Sequence, residues 1–288
     1  MSTMAENGPD RLLEVQDLKV QFRPKRRLAR PFQVLHGVSL HLGFGETLGL
    51  VGESGSGKST IGRAILGLVP AAGGRIHLEG RDITHLKQRE RRAVSKELQV
   101  VFQDPYSSLN PARTIGDTLS EPLLVSGLSG QDARKRVGTL LDRVHLPSDA
   151  MDRLPREFSG GQRQRIAIAR ALAPKPKLII CDEPVSALDL TTQARVLDLF
   201  AEIQQDTGVA YLFISHDLDV VRYVSDRVSV LYRGNIVEEG DAEQVTVNPQ
   251  HPYTQRLLLA SPLSDPDEQA ERRAAWHALN AVDASWRL

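Results

Sequence analysis

Between positions 52 and 60 the chain reads Gly52-Glu53-Ser54-Gly55-Ser56-Gly57-Lys58-Ser59-Thr60. The glycines let the main chain wrap tightly enough for its N–H groups to point at phosphate oxygens, and the spacing is that of G-x-x-x-x-G-K-[ST]. Lys58 supplies charge to neutralise β- and γ-phosphates, and the Ser59 hydroxyl completes a Mg²⁺ shell. A flexible glycine turn beside a surface lysine is the bland alternative. It leaves the register of glycines, lysine and hydroxyl without a reason. The stretch is read as a nucleoside triphosphate site.

A second group closes the apolar run "LIICDE". Asp182 and Glu183 fall at its C-terminal end, where ligands sit in an open α/β sheet. There Asp182 can hold Mg²⁺, and Glu183 can orient and polarise the attacking water. Two adjacent carboxylates are often just a solvated turn; the glycine loop gives this pair its weight. His216 ends the next run, "FISH", and lies near the γ-phosphate if the two strands are neighbours. A lone histidine at a strand end is more often structural. Gln103, at the end of "VVFQDP", can touch the metal or the water from a similar place. Finally, "FSGGQRQR" (Phe158 to Arg165) combines an N-capping Ser159, exposed N–H groups at Gly160 and Gly161, and a following helix. It is either a glycine-rich cap on an arginine-bearing helix or a turn that grips a γ-phosphate bound to another copy of the fold.

Strands and helices must position these groups, and the pattern supplies them alternately. "ETLGLVG" is a short buried strand leading into the glycine loop, and "STIGRAILGL" is the helix leaving it, so bound phosphate meets a positive helix terminus. "LQVVFQDP", "KLIICDEP" and "VAYLFISHD" are further strands. The second is almost continuously apolar, as in a parallel strand covered on both faces. Val196, Leu199, Phe200 and Ile203 recur at helical spacing between the last two. In "LKVQF", Leu18, Val20 and Phe22 alternate with Lys19 and Gln21. "GGRIHLEGRDIT" reads as a hairpin edge and "RVSVLYRGNIVEEG" as a hairpin turning at Arg233-Gly234-Asn235. "PKRRLARP" reads as a loop or hairpin tip. From Tyr106 to Leu172 the pattern is mostly helical, punctuated by Pro111, Pro122, Pro147 and Pro155. The expected fold is an α/β core with a helical insert.

Composition narrows the function classes. A chain of 288 residues can bury one large core, with or without a subdomain. Its 36 basic and 36 acidic residues balance, so bulk charge gives no reason to expect nucleic acid or an anionic membrane surface as partner. The one cysteine, Cys181, excludes an internal disulfide and a cysteine-rich metal site. The opening "MSTMAENGPDR" is polar and unlike a signal peptide, and no apolar run approaches the roughly 18 residues that cross a bilayer. A cytosolic chain is expected, with any membrane role exerted through a partner.

In combination and order, the glycine loop, Gln103, "FSGGQ", "LIICDEP", "SALD" (Ser186 to Asp189) and His216 resemble the nucleotide-binding subunit of an ABC transporter. The match runs from about Leu12 to Pro262. The resemblance implies an α/β fold: a P-loop NTPase (RecA-like) core with an antiparallel β subdomain and a helical signature subdomain at about 104–172. The nucleotide-binding domain then spans 12–263, flanked by an N-terminal segment, 1–11, and a tail, 264–288. In that family two domains pair head to tail. Ser159, Gly160, Gly161 and Gln162 of each close over the ATP and Mg²⁺ held by the other's loop, and Asp189 lies at the interface. Phe158 departs from the family's commonest residue, leucine, but keeps its apolar character. Members also stack adenine on an aromatic residue of the first strands, here Phe22 or, in another register, Phe32.

Two stretches narrow the resemblance. "FQDPYSSLNPARTIGDTLSEPL" and "NPQHPYTQRLLLASP" are similar to the ATPases of dipeptide and oligopeptide importers, whose relatives import nickel or glutathione. This implies two membrane-spanning permease subunits, an extracytoplasmic solute-binding protein and a second ATPase chain, identical or, as often in such relatives, different. It implies a place at the cytoplasmic face of the cell (inner) membrane, with the segment after Gln103 receiving a coupling helix. Many relatives carry a cysteine cluster after "HPYT"; none stands here, so no iron–sulfur site is expected. An ATPase for nickel or another small solute, or for an exporter, is the alternative within transport. A soluble ABC ATPase acting on ribosomes or DNA fits less well with a single uninterrupted cassette and no basic arm. A generic P-loop kinase or GTPase leaves "SGGQ" unexplained, and the guanine-reading Asn-Lys-x-Asp is absent.

Overall fold

The computed structural model describes residues 11–22, 31–104 and 109–260. The "PKRRLARP" loop before Pro31, the start of "YSSLNP" and the tail beyond Ala260 lie outside the described residues. In chain order the strands are β1 (Arg11–Phe22), β2 (Phe32–Gly43), β3 (Thr47–Val51), β4 (Gly73–Leu78), β5 (Arg81–Asp82), β6 (Leu98–Phe102), β7 (Leu178–Asp182), β8 (Ala210–Ile214), β9 (Arg227–Tyr232) and β10 (Asn235–Asp241). The helices are α1 (Lys58–Ile65), α2 (Gln88–Val94), α3 (Ile115–Val125), α4 (Gly130–Arg143), α5 (Gly160–Leu172), α6 (Leu190–Thr207), α7 (Leu218–Val224), α8 (Ala242–Val247) and α9 (Pro252–Ala260).

The central strands are apolar on both faces and therefore need cover on both. In β7, Leu178 and Ile180 join one buried cluster while Ile179 and Cys181 join the other; in β8, Leu212 and Ile214 oppose Tyr211 and Phe213 in the same way. These strands lie in a sheet of order β10-β9-β3-β8-β7-β6, parallel except for β10 at one edge. Helix α1 covers one face with Ile61 and Ile65. On the other, α6 buries Val196, Leu199, Phe200 and Ile203, the spacing seen in the sequence. The Phe200 ring meets Tyr211 and Phe213 edge-on, with centroids 5.3 and 5.6 Å away. Truncating such a ring to alanine costs about 3–5 kcal/mol.

A second, antiparallel sheet has the order β2-β1-β4-β5, with the expected β4–β5 hairpin at its edge. Strand β2 is not foreseen in the sequence reading. Its buried Val38, Leu40 and Leu42 do alternate with Ser39 and His41, but register shifts along the β1–β2 ladder interrupt the pattern elsewhere. The β9–β10 hairpin turns on Arg233 and Gly234, at φ +46° and +77°, as a tight reverse turn of matching twist requires. Asn235 already belongs to β10. Gly234 accepts the His36 N–H and donates its own to Ser56, both at 3.0 Å, so this hairpin ties the two sheets together at the glycine loop.

Between β6 and β7 the chain is helical. Thr114, Ser129 and Ser159 each cap a helix by accepting the N–H three residues on. Strands β3, β7 and β8 end at one edge of the sheet, and the chemistry-bearing residues follow those ends.

Candidate functional site

The glycine loop joins β3 to α1 through backbone conformations that side chains disfavour. Gly52 has φ +151°, and a Cβ there would lie 2.2 Å from the Leu231 carbonyl oxygen. Gly57 has φ +113°, with Leu35 Cδ2 at 2.8 Å from the same position. Inside the curl, Ser56 donates its N–H to the Glu53 carbonyl at 3.1 Å. Lys58 is 4% exposed, and its Nζ donates to the carbonyls of Gly52 at 2.6 Å and Glu53 at 2.9 Å. Burial pulls its pKa below the ordinary lysine value, opposed by the carboxylates of Glu183, Asp182 and Glu53. A buried ammonium whose hydrogen bonds go to neutral carbonyls is poised to move to an anionic phosphate, whose charge it satisfies better.

The strand-end carboxylates lie alongside. Ser59, in the first turn of α1, donates its hydroxyl to Asp182 Oδ1 at 2.7 Å, across 123 residues of sequence. Glu183 sits at φ +52°, a conformation glutamate rarely adopts, pinned by its N–H to the Ile214 carbonyl at 2.9 Å. His216 Nδ1 lies 3.3 Å from Glu183 Oε2. A cleft of about 340 Å³ runs over Ser54, Gly55, Gly57 to Thr60, Val34 and Glu183. Of the expected nucleotide residues, Lys58, Ser59, Asp182, Glu183 and His216 thus come together. Gln103 follows Phe102, which pairs in register with Asp182, and is exposed at the same end of the sheet.

Phe22 and Phe32 form a ladder pair at the end of β1 and the start of β2, both exposed, two residues before the cleft-lining Val34. The sequence posed them as alternatives; the ladder sets them side by side.

The Ser159–Gln162 turn is built differently. Ser159 and Gln162 cap one another, with the Ser159 N–H donated to Gln162 Oε1 at 3.0 Å and the Gln162 N–H to Ser159 Oγ at 3.4 Å. Gly161 is buried, since a Cβ there would meet Thr192 Cγ2 at 2.3 Å. Thr192 in turn donates both its N–H, at 3.0 Å, and its hydroxyl, at 2.7 Å, to Asp189, the cap of α6. Those bonds hold the Asp189 carboxyl below the usual carboxylate range. "FSGG" and "SALD" therefore abut through one threonine, a contact the sequence does not disclose. Phe158 is buried beneath the Arg153 guanidinium, 4.4 Å from its ring.

One residue at the glycine loop is missed by sequence reasoning. Tyr253, in the "HPYT" stretch, accepts the Glu53 N–H on its hydroxyl at 2.9 Å. The stretch stood out as a motif, but nothing local signalled that contact.

A parallel sheet whose strand-end carboxylates face a lysine-bearing glycine loop defines the P-loop class of nucleotide-hydrolysing proteins. Comparison with known proteins narrows this. The ABC transporter family model matches residues 35–186. The oligopeptide transport ATP-binding protein OppF of Salmonella typhimurium (strain LT2) is 48% identical over 270 residues, covering 91% of this chain and 81% of that protein. The chain belongs to the ABC transporter family and is an ATP-binding, ATP-hydrolysing member of it. The glutathione import ATP-binding protein GsiA of Escherichia coli (strain K12) is 51% identical over 277 residues, 94% of this chain; the chain spans 44% of that longer protein. Among solved structures, cbiO1 of Clostridium perfringens, part of the ABC transporter complex cbiONQ, superposes with a TM-score of 0.74 at 27% identity, over 83% of this chain and 92% of that one. A dimeric, post-hydrolysis ATP-binding cassette bound to ADP and Pi gives 0.71 at 28% identity, over 80% and 98%. Among the described residues no helix is long and apolar enough to cross a membrane.

Proposed function

We propose that this chain powers the import of short peptides by closing, on ATP, against a second ATP-binding subunit. ATP lies along the Gly52–Thr60 loop, with Glu53 and Ser56 shaping the curl through their own main-chain bonds, Ser54 and Gly55 lending main-chain donors, and Phe22 or Phe32 stacking on adenine. The Ser59 hydroxyl and Asp182 carboxylate, 2.7 Å apart, are hard oxygen ligands of the kind Mg²⁺ takes together with phosphate oxygens. They and Gln103 would hold the ion, which when bound screens the phosphate charge. Glu183 orients and polarises the attacking water. Lys58 and His216 stabilise the transferring phosphoryl group, joined by the Ser-Gly-Gly turn of the partner subunit. In return Ser159, Gly160, Gly161 and Gln162 serve the partner's nucleotide, and Asp189 links the two sites through Thr192.

One observation carries this reading. A lysine, a hydroxyl, two carboxylates and a histidine gather around one loop, while a second glycine-bearing helix terminus is built against Thr192 in another wall. The head-to-tail pairing accounts for both. On this reading residues 12–263 form the cassette, with the helical subdomain at about 104–172. Two permease subunits seat it at the cytoplasmic face of the membrane and an extracytoplasmic binding protein delivers solute. The second ATPase chain is a related or an identical one. Peptides are favoured because the matched relatives are named for oligopeptides and for glutathione, itself a tripeptide. The test is uptake of a labelled tripeptide by cells carrying the transporter, with wild-type chain or Glu183→Gln. Uptake should vanish in the variant; undiminished uptake, or uptake of nickel in place of peptide, would refute the proposal.

A further inference from the structure

The hydrolytic scheme leaves "NPQHPYTQRLLLASP" without a task, yet this segment grips the glycine loop. Tyr253, the second residue of α9, is 2% exposed and accepts the Glu53 N–H at 2.9 Å from 200 residues away. That N–H belongs to the Gly52–Glu53 peptide unit, whose carbonyl accepts Lys58 Nζ at 2.6 Å. A single peptide plane is thus held at both ends, by a phenol on its N–H and by the ammonium on its oxygen. Acceptance at the N–H polarises the carbonyl and strengthens the bond to lysine. The tyrosine is itself held firmly. Its ring lies on Tyr232 with centroids 4.1 Å apart. Just ahead of it, the N–H groups of Gln250 and His251 donate to the Glu238 carboxylate at 2.6 and 3.1 Å, and the Gln255 side chain donates to the Pro249 carbonyl at 3.0 Å. Burial pushes the phenol up to about 12, so the hydroxyl stays neutral.

We propose that Tyr253 is a positioning residue for nucleotide binding: through the Gly52–Glu53 peptide it holds the glycine loop in its phosphate-ready curl and fixes the resting place of Lys58. The C-terminal helix thereby becomes part of the ATP site. This rests on reading that loop as the ATP site. A loop released at this peptide samples more conformations, and ATP must then order it on binding. The loss of one such hydrogen bond corresponds to about a fivefold change in affinity.

The experiment uses the full chain, titrated with Mg²⁺ and ATP and then assayed for turnover with its partner. Wild type must bind ATP; failure there defeats the reading of the loop, not the role of Tyr253. Tyr253→Phe removes only the hydroxyl. Kd and KM for ATP should each rise about fivefold with kcat nearly unchanged, and the Glu53 amide should exchange faster with solvent. Tyr232→Phe keeps the ring contact and should leave Kd unaltered. Three outcomes would overturn the proposal: wild-type affinity in Tyr253→Phe, a lowered Tm with unchanged Kd, or an equal loss of affinity in both variants.

Discussion

The Gly52–Thr60 loop and the Ser159–Gln162 turn each present a helix N-terminus, α1 and α5, to an approaching anion. Around the first the chain gathers a lysine, a hydroxyl, two carboxylates and a histidine, drawn from three strand ends and linked by contacts of 2.6 to 3.3 Å. At the second lie the turn's own cap, the methyl of Thr192 and the Arg163 side chain bonded to the Phe158 carbonyl. On the proposed reading the first region holds ATP by itself but cleaves it only when a second subunit closes over it. On the same reading the second completes a site held by the partner subunit. On that reading the same local device, glycines at a helix start, serves as a binding site or a docking half-site according to what the sheet places opposite it.

The comparison is open to attack from either side. Glu183→Gln strikes the first region. Turnover should fall roughly 10²- to 10⁴-fold while ATP is still bound, since the change removes the polarising carboxylate and none of the phosphate donors. Steady-state hydrolysis beside equilibrium ATP binding separates the two effects, and unchanged turnover would remove Glu183 from its role. Ser159→Arg strikes the second region. Turnover in the assembled pair should drop about 10²-fold with the chain's own affinity for ATP intact. Weakened ATP binding by the single chain would place the turn in the wrong site.

Gly161→Ala tests how the turn is held. The new methyl collides with Thr192 and should cost about 1–3 kcal/mol of stability, with Thr192→Ser in the same chain recovering most of it. Denaturant melts decide this, and a neutral Gly161→Ala would mean that the contact yields freely. The smallest effect concerns Asp189. Bonds from Thr192 lower its folded pKa, so the stability it lends is present above the ordinary value of 3.8 and disappears as pH falls through the lowered one. An NMR titration should find its midpoint below 3.8, moving back up in Thr192→Val.

Much of this was legible in the sequence because the signals are local. The glycine loop, "LIICDE" and "FISH" each carry a strand, its end and a functional side chain within nine residues or so, and periodicity gives the buried face of α6. Contacts across long separations were not legible. The bond from the Glu53 N–H to Tyr253 spans 200 residues, and no pattern within the "HPYT" segment encodes it. Gly161 looked like a residue that bares its N–H; its burial against Thr192 follows from how α5 meets α6. Strand β2 was passed over because register shifts against β1 break its alternation. Phe22 could not be told from Phe32 because the two are a ladder pair, equivalent in position as well as in kind.

The most direct trial is per-chain ATP turnover in samples that sedimentation shows to be monomeric, followed as chain or partner subunit is added. The account requires the monomer to hold ATP and scarcely cleave it, with hydrolysis appearing as pairs form. Rapid cleavage by the monomer, the same at every concentration, would contradict it.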